Sequence, residues 1–341
     1  MNPDILRKLL AGENLTEQEA AGMMAAIMEG EVTPAQFGAL VVALRMKGET
    51  SEEVCGLARA MRERAVKVHT GRPRVLDTCG TGGDRLNTFN ISTTAAFIAA
   101  AAGVSVAKHG NRAASSKCGS ADVLEALGVP IILPAEAVGR LIDEAGIGFL
   151  FAAALHPAMK HAAVPRREIG VRTVFNLLGP LTNPAGAKHQ VLGVFEEWGC
   201  ELLAGALAKL GSEKAMVVHG RAGIDEMATF GETLVCEVTG EKVESWVFRP
   251  ADAGLKEIAP EAIEGGEPAR NAEVFLEVLS GGAPAAREIS CLNAGAAIYV
   301  AGLAGSLQEG LAAADRAVSE GAAMDTFVRY RDMARAEGER S

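Results

Sequence analysis

The 341-residue sequence predicts an α/β protein: a small all-helical unit followed by a larger α/β domain with a mostly parallel central sheet. Three observations predict it. Helix-start signals repeat through residues 1–68. Beyond residue 73, short apolar runs alternate with helical patterns. The unusual Gly-rich and polar strings all follow strand candidates. Alternating strands and helices favour a parallel sheet, and ligands of such sheets sit at the carboxyl ends of the strands.

The elements follow in order. Thr16 with Glu19 fits a capping box before Ala20–Met24, and Thr33-Pro34-Ala35-Gln36 supplies a cap, a proline at the first helical position and a glutamine at the third. Gly48 fits the stop of that helix, and Thr50 with Glu53 opens a third helix running to about Val66. Val75-Leu76-Asp77-Thr78 reads as a short strand ending in glycines. An Ala-rich helix follows, roughly Ser92 to Ala102, then a strand at Val104–Ala107 and a helix from Ala121 to Leu127. Ile131-Ile132 begins a further element, and Ala215–Val218 is an apolar strand ending at His219-Gly220. The two prolines of Gly179-Pro180-Leu181-Thr182-Asn183-Pro184 fix a rigid connection, read as a hinge. Residues 281–286 read as loop, and the tail beyond about Ala334 as a fraying end.

Composition narrows the function. A formal net charge of −10 argues against sequence-independent nucleic-acid binding, which needs a basic field. No apolar run reaches the ~18–20 residues of a membrane span, and the first residues lack the apolar core of a secretory signal, so the expected compartment is the cytoplasm. The six cysteines are dispersed without a Cys-x-x-Cys pair, which signals neither a zinc ribbon nor a thioredoxin-type site.

Several strings can carry chemistry. Gly80-Thr81-Gly82-Gly83-Asp84 lets the backbone approach a ligand and offers an anion nest, but no Gly-Lys-Ser/Thr follows as in a P-loop; an ordinary tight turn is the alternative. Asn90-Ile91-Ser92-Thr93-Thr94 clusters polar groups at a helix start, where they cap the helix or leave its N–H groups for a phosphate. Lys108 through Ser120 is dense in cations, hydroxyls and small residues and poor in acids, which suits a loop folded over phosphate. An arginine such as Arg166 beside an apolar stretch suits a carboxylate, with a plain surface arginine as the alternative. Asp225-Glu226, at the end of the loop after His219-Gly220, offers oxygen ligands for Mg2+.

Together these strings resemble the anthranilate phosphoribosyltransferase family. The match runs through Gly80–Asp84, Thr88–Thr93, Lys108–Ser116, Gly119–Asp122, His156-Pro157-Ala158-Met159, Arg172–Pro184, His219-Gly220 and Asp225-Glu226, in the family's order and over nearly the whole chain. The resemblance implies a fold of the nucleoside phosphorylase/phosphoribosyltransferase type, in which a segment around 165–185 returns to the helical domain of residues 1–68 and hinges join it to an α/β domain of residues 73–341. It implies a homodimer formed through the helical domain, and the charge and the lack of a long apolar run add the expectation of no nucleic-acid or membrane partner. It also implies transfer of phosphoribose from phosphoribosyl pyrophosphate to anthranilate, with Mg2+ as cofactor, two ions in number, in tryptophan biosynthesis. By resemblance, Gly80, Gly83, Asp84, Thr88, Asn90, Ile91, Ser92, Thr93, Lys108, His109, Gly110, Asn111, Arg112, Ala113, Ala114, Ser115, Ser116 and Ser120 surround phosphoribosyl pyrophosphate. Gly80, Asn111 and Arg166 bind anthranilate with His156 nearby, and Ser92, Asp225 and Glu226 sit at magnesium. No nucleophile or base is assigned. The chain departs from the family pattern at Arg85-Leu86, Ala153 and Pro165. The rivals are a pyrimidine-nucleoside phosphorylase-like enzyme and a non-catalytic nucleic-acid-binding relative of the same fold. The enzyme reading requires Lys108, Ser92 and Glu226, far apart in sequence, to meet in one cleft.

Overall fold

The computed structural model describes residues 3–83, 86–113 and 116–340. Four helices come first: α1 (Pro3–Leu10), α2 (Glu17–Met28), α3 (Pro34–Lys47) and α4 (Ser51–Arg64). Thr16, Thr33 and Thr50 each close the capping box read from the sequence, and Gly48 ends α3 at φ +90°. The carboxylate of Glu53 does more than cap. It is buried and accepts from the amides of Leu15 (2.8 Å) and Thr50 (2.8 Å) and from Lys47 Nζ (2.9 Å), tying α4 to the turns before α2 and after α3.

The sheet follows. Strands β1 (Leu76–Gly80), β2 (Val106–Gly110), β3 (Ile147–Phe151), β4 (His189–Gly193), β5 (Lys214–Gly220), β6 (Thr233–Thr239) and β7 (Lys242–Phe248) lie in the order β3-β2-β1-β4-β5-β6-β7. The first five are parallel, and β6 and β7 join as an antiparallel hairpin at one edge. The fold class is therefore the one the sequence predicts. The chain turns from β1 to β2 and β3 on one side and to β4 and β5 on the other, so the order reverses at β1, and the crevice at its carboxyl end is where a ligand fits.

Period-two burial serves both faces. Val191, Met216, Val218 and Val235 pack into one apolar cluster with α5 (Ile91–Ala101), α6 (Ser120–Ala126), α7 (Ala135–Ala145) and the C-terminal helices. Leu192, Ala215, Val217 and Cys236 face the other, where α11 (Trp198–Lys209) packs on α4. Between these, α8 (Ala152–Leu155), α9 (Lys160–Ile169) and α10 (Phe175–Leu178) carry the chain from β3 to β4. Helix α9 packs on α2 and α3, and Phe175 meets Phe37 at 5.3 Å between ring centroids, so this segment shares the apolar cluster of the N-terminal helices.

The chain ends in α12 (Pro268–Leu279), α13 (Pro284–Val300), α14 (Leu307–Ser319) and α15 (Ala322–Arg340). Helix α15 corrects the expectation of a frayed tail: Ala334 is fully buried, and Glu337 accepts from Arg140 Nε at 3.2 Å, which anchors the last turns on α7. Ile131-Ile132 begins no strand or helix, because Pro130 and Pro134 flank it and the chain runs irregularly into α7. Strand β2 starts at Val106 rather than Val104, and α13 takes up Pro284–Ala286 of the expected loop. No helix among the described residues is long and apolar enough to cross a membrane.

Candidate active site

The carboxyl ends of β1, β2 and β4 open into a cleft of about 330 Å3, closed on its far side by residues of α9 and α10. From β1 come Gly80, Thr81, Gly82 and Gly83; from β2 and its loop, Lys108, His109, Gly110, Asn111, Arg112, Ala113 and Ser116. The starts of α5 and α6 add Ser92 and Ser120, and Arg166 faces them. Lys108 and Ser92 thus meet in one cleft, as required. Lys108 Nζ lies 3.4 Å from Ser92 Oγ, and the Ser92 amide donates to Glu226 Oε1 at 3.1 Å, so the three residues form one chain of contacts.

The acidic pair is brought in by close backbone approach. Asp225 follows β5, and its side chain reaches the end of β1, where Oδ2 accepts the Gly82 amide at 2.9 Å. A Cβ on Gly193 would lie 1.5 Å from the Asp225 carbonyl, so only glycine fits there, and a Cβ on Gly80 would lie 2.4 Å from Asp225 Oδ2 and push that carboxylate out of place. Burial pushes the Asp225 carboxyl above its ordinary value, opposed by the Gly82 amide and the Arg172 charge. Asp225, Glu226 and the Ser92 hydroxyl are hard oxygen donors, which fits Mg2+. Among the described residues there is no group of three or more His, Cys, Asp or Glu that could hold a metal ion, and Mg2+ commonly completes its shell with water and substrate phosphate oxygens.

The cationic side is graded. Lys108 is 1 % exposed and donates to Thr78 O at 2.6 Å; burial pulls its ammonium below its ordinary value, while Asp77, Cys79 and Glu226 oppose this. Arg112 pairs with Asp122 at 3.2 Å and reaches Glu125 Oε1 at 2.8 Å. Arg166 lies over the Phe175 ring at 5.2 Å and has no carboxylate partner among the described residues; burial lowers its guanidinium pKa. Asn90 caps α5 without a side-chain bond to the helix amides and instead donates to Cys118 O at 3.2 Å.

Other expected residues are not among those that line the cleft. Ile91 and Thr93 are fully buried, with Thr93 Oγ1 donating to Ser120 Oγ at 3.2 Å, and Thr88 bridges to Glu264. His156 packs against His109 at 5.2 Å between ring centroids. Burial holds His109 down to about 3 and His156 to about 4, so both rings are neutral at pH 7. Asp84, Ala114, Ser115 and the departure at Arg85 lie outside the described residues; Pro165 sits buried within α9.

Reading the sequence missed a second set. Asp77, fully buried, accepts the His109 amide at 3.0 Å and Asn183 Nδ2 at 2.8 Å, and Asn183 also donates to Ala107 O at 2.8 Å. Burial pushes the Asp77 carboxyl up to about 6. The hinge asparagine therefore ties β1 to β2 near their starts; a carboxylate in an apolar strand was the signal available. Arg172, Phe195 and Asn176 also line the cleft, beside Thr81 of the glycine string already read. Nothing marks Phe195 in the sequence, because the strand before it, β4, opens on His189-Gln190 and lacks a long apolar run.

A helical bundle packed against a mostly parallel sheet, with a crevice lined by glycines, hydroxyls and cations at the strand reversal, is the arrangement of a glycosyl transferase family. Residues 72–324 match the glycosyl transferase family a/b domain, and residues 3–65 match its helical bundle domain. The chain is 55% identical over 320 residues to an anthranilate phosphoribosyltransferase of Anaeromyxobacter sp. (strain K), covering 94% of this chain and 95% of the relative. It resembles the crystal structure of anthranilate phosphoribosyltransferase from Thermus thermophilus at a TM-score of 0.91 and 48% identity, over 97% and 99% of the two chains. The Saccharomyces cerevisiae enzyme in complex with PRPP and Mg matches at a TM-score of 0.88 and 26% identity, over 98% and 97%. The chain belongs to the anthranilate phosphoribosyltransferase family.

Proposed function

We propose that this chain transfers the 5-phosphoribosyl group from phosphoribosyl pyrophosphate to the amino group of anthranilate, giving N-(5-phosphoribosyl)anthranilate and pyrophosphate, in tryptophan biosynthesis. The observation that carries it is the division of one cleft into an anion-accepting half, made of the Gly80–Gly83 loop, Ser92 and Lys108, and an opposing arginine, Arg166, with no carboxylate partner among the described residues.

Gly80, Gly83, Asp84, Ser92, Lys108 through Ser116 and Ser120 take the phosphoribosyl donor, and Thr88, Asn90, Ile91 and Thr93 support them without lining the cleft. Gly80, Asn111 and Arg166 take anthranilate, with neutral His156 behind His109. Ser92, Asp225 and Glu226 hold Mg2+, two ions in number; the PRPP and Mg complex of the yeast relative supports the donor and the cation. Bound Mg2+ supplies positive charge to the departing pyrophosphate. Lys108 and the loop amides stabilise the same charge as the ribose passes through an oxocarbenium-like state. The aromatic amine is neutral at pH 7, so the chain needs to orient it rather than deprotonate it first, and Arg166 holds the carboxylate that sets its direction. The chain works in the cytoplasm as a homodimer joined through its helical unit.

The test is loss of anthranilate fluorescence with and without phosphoribosyl pyrophosphate and Mg2+. Loss that needs both supports the reading. No loss, with phosphorolysis of a pyrimidine nucleoside by inorganic phosphate instead, overturns it.

A further inference from the structure

Arg172 stands where the cleft opens into a second groove of about 770 Å3, and Gly83, Ser116, Arg172 and Phe195 wall both spaces. Its Nη2 donates to the Gly83 carbonyl at 2.9 Å, and the guanidinium lies 4.1 Å from the centroid of the Phe195 ring. A Cβ on Gly83 would meet that Nη2 at 2.1 Å. The same loop is held from its other side, where Gly82 N donates to Asp225 Oδ2 and Thr81 N to Gly193 O at 2.8 Å. Phe195 closes the ring of contacts, since its amide donates to Thr81 Oγ1 at 3.2 Å. Among the described residues no carboxylate forms an ion pair with Arg172, so its charge is engaged by a peptide carbonyl and an aromatic face.

We propose that Arg172 is a positioning residue for the pyrophosphate group. It clamps the Gly83 peptide so that the Thr81–Gly83 loop and Asp225 form one fixed rim around the leaving group. The inference rests on the function proposed above. A planar guanidinium can bond Gly83 and lie flat on Phe195 at once; an ammonium has no flat face to stack, and one point charge must serve both contacts. The residue follows α9, which packs on the N-terminal helices, so the clamp also fastens that unit to the loop after β1.

The experiment titrates Mg2+ with inorganic pyrophosphate into wild type, Arg172→Ala, Arg172→Lys and Phe195→Leu by calorimetry, and measures both KM values on the same proteins. Arg172→Ala is expected to weaken pyrophosphate binding and raise the KM for phosphoribosyl pyrophosphate by about tenfold or more, with the anthranilate KM within about twofold. Arg172→Lys recovers part of the loss, and Phe195→Leu falls between. Unchanged pyrophosphate affinity, or equal rises in both KM values, overturns the clamp. If Arg172→Ala does not fold, Phe195→Leu decides by the same criteria. Wild type that binds Mg-pyrophosphate but leaves anthranilate untouched sinks the functional reading while the calorimetry still judges the clamp.

Discussion

Arg166 shows how one side chain separates two substrates. Its guanidinium rests on Phe175 and faces the cleft with no competing carboxylate among the described residues. Removing a charge-assisted, two-pronged contact costs about 2–3 kcal/mol, so Arg166→Ala is expected to raise the KM for anthranilate roughly 30- to 150-fold and that for the sugar donor far less. Steady-state kinetics with each substrate varied in turn checks this, and equal effects would remove the assignment. The buried histidine pair makes a prediction about acid. His156 titrates near 4 in the fold and near 6.5 when unfolded, so the unfolded chain binds more protons between those values. The stability held by keeping the ring neutral is therefore complete above about pH 6.5 and drains away as pH falls towards 4, by about 3 kcal/mol. Asp77 works in the opposite sense. Its carboxyl is pushed up to about 6, so the cost of its burial as a charge is felt fully above that pH and fades as pH falls through it. Urea unfolding from pH 7 to 4 should show a flatter profile for His156→Gln than for wild type; parallel curves would count against a buried neutral imidazole.

At the scale of elements, the helices declare themselves through their ends. Thr16, Thr33 and Thr50 cap where the sequence places them because a capping box is a local exchange between residues three apart. Glu53 takes on long-range duties that no local pattern reveals. Glu53→Ala would leave the Lys47 ammonium, 4 % exposed, without its ion-pair partner and deprive two amides of an acceptor, an expected loss of about 3–5 kcal/mol by urea denaturation. A loss below about 1 kcal/mol would mean the pair contributes no more than an exposed one. Only β1, β2 and β5 were legible as apolar runs, to within two or three residues; β3, β4, β6 and β7 were not read, because their runs are short and their register is set by neighbours, as where β1 pairs Leu76 with His189 through Gly80 with Gly193. The strings that follow the strands were legible as chemistry because their composition is extreme. Arg172, Phe195 and the Asp77–Asn183 contact were not read as parts of the site, since each acquires its role from a partner distant in sequence.

At the scale of the whole molecule, the two apolar clusters share the sheet between them, one on each face, yet the helical unit leaves part of itself uncovered. Leu10 at the end of α1 is 73% exposed and Met46 at the end of α3 is 84% exposed, with Val42 one turn before it. Helices α1 and α3 pack on each other, so these side chains belong to neighbouring elements of the proposed dimer face. None of the three is part of the buried core, so changing them should leave the fold intact. Two-fold association places the same patch on both sides of the contact, so one charge per chain enters the interface twice. Met46→Glu combined with Leu10→Glu is expected to weaken association by about 3 kcal/mol or more, roughly a hundredfold, with little change in thermal unfolding of the single chain. Sedimentation equilibrium reads the result directly: wild type at twice the 35.4 kDa chain mass and the double variant at that mass. A wild type that sediments as one chain, or a double variant that still pairs, would move the partner surface away from α1 and α3.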